Sequence, residues 1–213
     1  MSSSEKCHEG IAVNVFDGGQ VIDCKTCGFK HVMPLPTVEE FYEIEFYQSE
    51  KPTYLEASAE DSEWKNVEFT RRFATAEKYF SSMSSKKRVL DIGCGPGDFL
   101  KVGKSRGWDG TGVEPSPVAA KYAEGRDLTV IAGFFDNRLA AALGHFNFIH
   151  MSEVLEHIPN PVELLQSAFN ILEPGGILCV SVPNDFSPVQ KVLIEEKLYE
   201  PWWVVPDHHL NYF

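Results

Sequence analysis

Three glycines and one glutamate are spaced in a way that suits the binding of a ribose-containing ligand. Gly93, Gly95 and Gly97 lie in VLDIGCGPGDFL, directly after an apolar run. Glycine allows the backbone to turn sharply and to approach a ligand closely. Glu114 ends the next apolar run, 23 residues after Asp91, and a carboxylate there can accept hydrogen bonds from both ribose hydroxyls. A turn that binds no ligand is the alternative.

The residues around this turn favour a ligand other than a dinucleotide. After Gly93 and Gly95, the third position of the pattern G-x-G-x-x-G is Asp98. A carboxylate at the start of the following helix would repel a pyrophosphate, and Pro96 lacks an amide donor. Both features are compatible with S-adenosylmethionine (SAM), which carries an amino group and a sulfonium. They argue against an NAD(P)-dependent oxidoreductase, the less favoured alternative.

The first 31 residues contain a second set of chemically active side chains. Cys24 and Cys27 have the C-x-x-C spacing, Cys7 precedes them and His31 follows. Three thiolates and one imidazole satisfy tetrahedral zinc, and bound metal can replace the hydrophobic core that so short a segment lacks. We therefore predict a zinc-ribbon-like segment, with His8 as the alternative fourth ligand. The competing interpretation is a small hairpin with reduced thiols.

These residues are placed by alternating strand and helix patterns. Such alternation predicts an α/β fold with a doubly wound, Rossmann-like parallel sheet. A turn at Gly18-Gly19 predicts an N-terminal hairpin, and an apolar face at helical spacing (residues 69–80) predicts a helix that packs on the following domain. The predicted strands are 88–92, 110–114, 128–132, 146–151 and 176–182, and the predicted helices are 98–106, 117–125 and 161–172.

Composition excludes some partners. The formal net charge is −12, with 31 acidic and 19 basic residues, whereas nucleic-acid binding usually requires a basic surface. No apolar run reaches the roughly 18–20 residues that span a bilayer, and the N-terminus lacks the apolar stretch of a secretory signal. We expect no nucleic-acid or membrane partner and a cytoplasmic protein.

Four segments, in order, resemble the motifs of class I SAM-dependent methyltransferases. They are VLDIGCGPGDFL, GTGVEPSPVAAKYA, FNFIHMSEVLEHIPNP and LEPGGILCVSVPN, within about residues 86–184. The LEH at residues 155–157 resembles a signature of the ubiquinone-biosynthesis-like branch (methyltransferase type 11/23). Some methyltransferases of this kind carry an N-terminal zinc segment. The resemblance implies methyl transfer to a small-molecule acceptor, at an O, N or C atom that it does not specify.

The resemblance also implies roles for individual residues. Asp91 and the glycines 93, 95 and 97 would line the methionine side of SAM, and Glu114 would hold the ribose. Pro115 and Ser116 would lie near the adenine, and Met151 and Ser152 would flank the sulfonium. Phe134 stands where the family often has an acid that binds the adenine amine. Phe134 or Phe135 is then expected to stack on the ring, with Asp136 as the fallback acid.

A general base is needed only if the acceptor is a hydroxyl or an acidic carbon. The candidates are His150, His157, His208 and His209. His209 is the preferred base, in the segment PWWVVPDHHLNYF, which resembles the family's cover over the acceptor pocket. His157 is the second catalytic candidate, and a hydrogen bond within its loop is the alternative. Trp202, Trp203, Tyr212 and Phe213 are expected either to form an apolar wall or to pack as core.

We predict a zinc-binding segment at 1–36, a helical linker and lid at 37–85, and a SAM-binding methyltransferase domain at 86–213. The expected sheet order is 3-2-1-4-5 in the numbering of the predicted strands. The family continues into a final hairpin that this sequence lacks, so we expect a C-terminally truncated domain. Its exposed sheet edge predicts pairing in a homodimer. A non-catalytic SAM- or nucleotide-binding or assembly module is the alternative function.

Overall fold

The computed structural model describes residues 8–36, 62–80 and 87–213. The described chain forms two compact units. We call them the parallel-sheet unit (within Ile44–Ser152 and Val162–Ser181) and the small-sheet unit (within Met1–Glu43, Glu153–Pro161 and Val182–Phe213). Among the described helices, none has the combined length and apolar character that a bilayer-spanning segment needs.

The parallel-sheet unit contains alternating strands and helices, which confirms the predicted fold class. Its elements are α1 (Ser62–Tyr79), β4 (Arg88–Ile92), α2 (Asp98–Ser105), β5 (Asp109–Glu114), α3 (Pro117–Glu124), β6 (Thr129–Ala132), α4 (Asn137–Leu143), β7 (Phe146–Ser152), α5 (Pro161–Asn170) and β8 (Leu172–Ser181). The strands are parallel and have the order β6-β5-β4-β7-β8. This is the predicted 3-2-1-4-5 order, so the carboxyl ends of β4, β5 and β7 are neighbours at one edge.

The core of this unit is aromatic and includes the predicted face of α1. Phe73 is fully buried and stacks on Phe99 of α2, with ring centroids 4.5 Å apart. Trp108 and Phe148 also contact Phe73. Burial of these rings fixes α1 and α2 against the sheet, since large aromatic side chains contribute much of the apolar area removed from water.

Two helices were not predicted, and one strand begins earlier than expected. In α4 the Asp136 carboxylate caps the first turn, but Ala140 is the buried residue, so the helix shows almost no apolar periodicity. Helix α6 (Pro188–Glu195) has a capping box of Ser187 and Gln190 but no buried residue. Its cap was a readable signal. Strand β8 begins at Leu172 because an irregularity in its pairing with β7 accommodates the following glycines.

The small-sheet unit contains β1 (Gly10–Phe16), β2 (Gly19–Cys24), β3 (Lys30–Met33) and β9 (Asn211–Tyr212), in that order. The predicted hairpin is confirmed: β1 and β2 pair antiparallel around Gly18, whose φ of 84° favours glycine. Strand β3 pairs with β9 near the end of the described chain. The core of this unit is formed by Val21, Val32, Leu210 and Tyr212.

Candidate functional site

The three glycines form a tight turn between β4 and α2. All have positive φ, at 72° for Gly93, 52° for Gly95 and 83° for Gly97. The Gly93 amide donates to the Val113 carbonyl of β5 at 2.8 Å, which holds the turn against the neighbouring strand. A Cβ on Gly97 would lie 2.5 Å from Cδ1 of Leu128. Glycine is therefore required at 97 by both conformation and space.

Glu114 lies directly beside this turn. Its carboxylate accepts a hydrogen bond from the Gly95 amide at 2.7 Å and another from the Ser116 amide at 2.8 Å. The side chain is 5% exposed. The structure therefore brings together the glycine turn and the acid that the sequence singled out. An acidic group at the junction of two parallel strands suits the ribose hydroxyls of an adenosyl ligand.

Asp91, at the carboxyl end of β4, is held by a buried histidine. Nδ1 of His150 lies 2.6 Å from the Asp91 carboxylate, and the two residues are paired between β4 and β7. Nε2 of His150 lies 2.6 Å from the Arg72 guanidinium of α1. Both ring nitrogens are thus occupied, so His150 is not available as the general base that the sequence admitted.

The acid at the start of α2 has a counter-charge. Asp98 forms a salt bridge of 2.7 Å with Arg126, whose guanidinium also donates to the Pro96 carbonyl at 2.7 Å. This pairing weakens the repulsion that was predicted between Asp98 and a pyrophosphate. The missing amide of Pro96 still disfavours a phosphate at the turn.

The other predicted cofactor-binding residues lie just after β5 and β6 or at the end of β7. Pro115 directly follows Glu114 and is half-buried, whereas Phe134 is 37% exposed in the loop after β6. Asp136, the fallback acid for adenine, caps α4 by accepting from the Leu139 amide at 2.7 Å. Met151 is fully buried, and the half-buried Ser152 ends β7. All lie in the parallel-sheet unit, and their roles in ligand binding stay predictions.

The small-sheet unit brings together a Cys/His cluster of His8, Cys24, Cys27 and His31. Their ligand atoms all lie within 4.8 Å of one another. His8 Nδ1 is 3.1 Å from His31 Nε2 and 3.4 Å from the Cys27 sulfur. His31 Nδ1 donates to the Val32 carbonyl at 2.8 Å, which leaves Nε2 facing the cluster. Cys7, predicted as a ligand, lies outside the described residues.

The donor set of this cluster fits zinc. Zn²⁺ prefers thiolate and imidazole ligands in tetrahedral sites, with bonds of about 2.0–2.3 Å. Ligand atoms around such an ion are separated by roughly 3–4 Å, as the His8–His31 and His8–Cys27 distances are. Burial lowers the pKa of His31, which favours the neutral imidazole that a metal requires.

The small-sheet unit also holds both predicted catalytic histidines. Nδ1 of His157 donates to the His208 carbonyl at 2.6 Å, a partner 51 residues away and outside the loop in which its hydrogen bond was expected. His209 contacts the His157 ring, with centroids 5.1 Å apart, and its Nδ1 lies 3.9 Å from the Asp185 carboxylate. Burial lowers the pKa of His209, partly offset by Asp185. His209 is therefore largely neutral near pH 7 and able to accept a proton.

Glu156 is an unusual member of this group. It is 1% exposed, and neither carboxylate oxygen has a hydrogen-bond partner among the described residues. Burial and the neighbouring Glu153 and Asp185 raise the pKa of Glu156 to about 8. The ligand atoms of Glu156, His157 and His209 lie within 4.8 Å of one another, which permits proton exchange or a shared cation.

Four aromatic residues at positions 202, 203, 212 and 213 were expected either to form an apolar wall or to pack as core. Trp203 and Tyr212 are buried, at 3% and 2% exposure, and Tyr212 belongs to the core of the small-sheet unit. Phe213 contacts Phe29 at 5.3 Å between ring centroids. Trp202 is 68% exposed. Core packing therefore describes Trp203 and Tyr212.

Arg72 contributes to the site a contact that no sequence pattern indicated. Arg72 lies on α1 and is 78 residues from His150 in the chain, so no spacing rule links the two. Its only sequence signal was the helical periodicity of α1, which predicted packing but not which polar side chain would reach the sheet.

Comparisons with known proteins agree with this geometry. The profile of a family described as "Methyltransferase domain" matches residues 61–213. Two curated relatives are called ubiquinone biosynthesis O-methyltransferase. The relative from Actinobacillus pleuropneumoniae serotype 7 (strain AP76) is 37% identical over 108 residues, 46% of this chain and 46% of the relative. The relative from Psychrobacter arcticus is 32% identical over 106 residues, 46% of this chain and 41% of the relative.

These alignments span less than half the length of the curated relatives. Among solved structures, a SAM-dependent methyltransferase from Archaeoglobus fulgidus superposes with a TM-score of 0.56 at 22% identity. The superposition covers 74% of this chain and 66% of that one. At this identity the likeness establishes the fold alone.

Proposed function

Since the chain belongs to the methyltransferase-domain family whose profile spans residues 61–213, we propose that it is a SAM-dependent methyltransferase acting on a small molecule. One observation carries the proposal: the Glu114 carboxylate is hydrogen-bonded to the Gly95 amide of the glycine turn at 2.7 Å. This contact brings the acid that we propose for ribose binding beside a backbone turn that a ligand can approach closely, at adjacent strand ends. The fold family and the local geometry therefore favour the same ligand.

In the proposed complex, Glu114 accepts hydrogen bonds from the ribose hydroxyls, and the adenine lies near Pro115 and Phe134. The methionine portion lies along the turn that starts after Asp91. The acceptor atom attacks the sulfonium methyl, so that one bond to the methyl carbon forms as the carbon–sulfur bond breaks. S-adenosylhomocysteine leaves as the neutral sulfide. The protein accelerates methyl transfer mainly by aligning the acceptor atom with the methyl group and the sulfur, and by excluding water.

We propose His209 as the general base for a hydroxyl or carbon acceptor, with His157 as the second candidate. The lowered pKa of His209 keeps its ring neutral near pH 7, and its Nδ1 has no hydrogen-bond partner among the described residues. His157, whose Nδ1 donates to the His208 carbonyl at 2.6 Å, would act through Nε2. An amine acceptor that is already neutral would need neither.

The acceptor class follows from charge and from the relatives. A net charge of −12 disfavours nucleic acid. The curated relatives are called ubiquinone biosynthesis O-methyltransferases, so we propose a hydroxylated ring or a similar small natural-product intermediate.

We propose that the Cys/His cluster holds a structural zinc ion. Cys24, Cys27 and His31 supply three ligands, and His8 supplies the fourth in the described residues, with Cys7 as the adjacent alternative. The proposal is supported by ligand atoms within 4.8 Å of one another. Bound zinc would fix the β2–β3 connection of a sheet whose own core is small.

We propose that two copies of the chain pair through a sheet edge. Strand β8 is an outer strand of the parallel sheet, and Val180 on it is 37% exposed. Outer strands offer unpaired backbone groups to another chain. Light scattering that gives the mass of a monomer at micromolar concentration would exclude a homodimer.

The methyltransferase proposal is tested in two steps. Isothermal titration should show that S-adenosylhomocysteine binds the wild-type protein, with binding reduced in Glu114→Gln. Radiolabelled SAM is then incubated with the protein and a host-cell metabolite extract, and label is expected in a small-molecule fraction. Binding without transfer to any acceptor would favour the non-catalytic module. Transfer to protein or RNA would contradict the proposed substrate class.

A further inference from the structure

We infer that Arg72 and His150 are positioning residues that orient the Asp91 carboxylate toward the α-ammonium group of the methyl donor. The inference rests on the proposed function and deepens it. It adds to the site a side chain from α1, which lies outside the glycine turn and strand ends that the sequence pointed to.

Arg72, His150 and Asp91 form a hydrogen-bonded series in which each donor can be identified. A guanidinium has no acceptor, so Arg72 Nη1 must donate to His150 Nε2, across 2.6 Å. The Nε2 atom is therefore unprotonated in this arrangement, and the proton resides on Nδ1. His150 Nδ1 then donates to Asp91 Oδ1, also across 2.6 Å. Arg72 thus selects the tautomer of His150 that binds a carboxylate.

The surroundings hold His150 in this orientation. Its ring stacks on Phe99 with centroids 3.7 Å apart and an interplanar angle of 10°. The edge of Phe69 contacts it from α1 at 6.0 Å. His150 and Asp91 are 2% and 3% exposed. Because a ring between two aromatic neighbours cannot rotate freely, the Asp91 oxygen that it holds is fixed as well.

The Arg72 guanidinium is also restrained by an ion pair within α1. Its Nε lies 3.5 Å from the Glu68 carboxylate one turn earlier in α1. The helix is anchored by Phe73, whose side chain is fully buried in the aromatic core. The guanidinium therefore reaches His150 from a rigid support, not from a mobile loop.

A purely structural role accounts poorly for this arrangement. A buried charged and polar pair costs more to desolvate than apolar side chains of similar volume, so it stabilises the fold weakly at best. Asp91, one member of this pair, lies two residues before Gly93, where the methionine portion of the donor is proposed to bind. A carboxylate oxygen kept in a fixed position there is complementary to the cationic α-ammonium group. Within the described residues, His150 is the hydrogen-bond partner of Asp91.

Two substitutions at His150 separate its hydrogen bond to Asp91 from its hydrogen bond to Arg72. In His150→Asn, the amide nitrogen replaces Nδ1 and can still donate to Asp91. In His150→Gln, the amide oxygen replaces Nε2 and can still accept from Arg72, but the bond to Asp91 is lost. Both variants lose the stacked ring, so they form a matched pair for stability.

The probes are S-adenosylhomocysteine, which carries the α-ammonium group, and 5′-methylthioadenosine, which lacks it. Calorimetry should show S-adenosylhomocysteine binding about tenfold or more weaker in His150→Gln, with a smaller loss in His150→Asn. Affinity for 5′-methylthioadenosine should be unchanged in both. The third variant, Arg72→Gln, replaces a half-buried residue of α1 outside the sheet. It should weaken binding of S-adenosylhomocysteine but not of 5′-methylthioadenosine, and it keeps the inference testable if the His150 variants fail to fold.

The outcomes distinguish the two proposals. A wild-type protein that binds neither nucleoside contradicts the proposed function itself. Two outcomes overturn the positioning role alone, provided that the wild-type protein binds. In the first, His150→Asn and His150→Gln have equal affinity for S-adenosylhomocysteine. In the second, every variant that folds loses affinity for both nucleosides in parallel.

Discussion

Replacement of Glu114 by glutamine tests the contact on which the proposed function depends. The carboxylate, at 5% exposure, accepts from two backbone amides, those of Gly95 and Ser116. A glutamine side chain has one acceptor oxygen, so its amino group must face one of these N–H donors. One charge-assisted hydrogen bond is lost and a buried donor is left unpaired. We expect the free energy of unfolding to fall by about 2–3 kcal/mol.

Ligand binding should fall in the same variant for a separate reason. Glutamine replaces the charged carboxylate with a neutral amide that has one acceptor oxygen, so it cannot bind both ribose hydroxyls as the carboxylate would. We expect S-adenosylhomocysteine affinity to fall about 10–100-fold. Urea unfolding measures the first quantity and isothermal titration the second. Glu124→Gln, on an exposed position of α3, is the matched control. Affinity within twofold of wild type in Glu114→Gln would refute the assignment of Glu114 to the ribose.

Three further predictions concern other parts of the molecule. Glu156 retains its proton in the folded state up to about pH 8 but loses it above about pH 4.5 when unfolded. The wild-type free energy of unfolding should therefore decline by a few kcal/mol as pH rises between these values, and Glu156→Gln should abolish the decline in urea titrations. Cys24→Ser should lower zinc content, measured by mass spectrometry, from about one ion per chain, whereas equal zinc in Cys24→Ser and the control Cys179→Ser would contradict the site. Gly97→Ala should lower the free energy of unfolding by about 1–3 kcal/mol more than Gly107→Ala does, measured by urea unfolding. Both glycines have positive φ, but of these two only Gly97 has a side chain where a Cβ would lie. Equal losses in the two variants would show that crowding at position 97 is absent.

Much of the parallel sheet could be predicted because its signals are local. Each strand is a short apolar run bounded by turn residues, whereas the order of the strands was implied by the resemblance to class I methyltransferases. Glu114 and the glycine turn could be linked in the same way, since the carboxyl ends of neighbouring parallel strands meet at one edge. Helix α4 escaped detection because burial of Ala140 alone leaves no periodic apolar face.

The sequence by itself indicated the strands and helices of the parallel sheet, the glycine turn with its acid, and the C-x-x-C motif with His31. These features depend on residue type and short spacing, which backbone geometry converts directly into position. Only the tertiary structure decided that His8 joins the Cys/His cluster, that Tyr212 pairs with β3, and that Arg72 reaches His150. Such contacts join residues far apart in the chain, and they are selected by packing of the whole core, which no local pattern encodes.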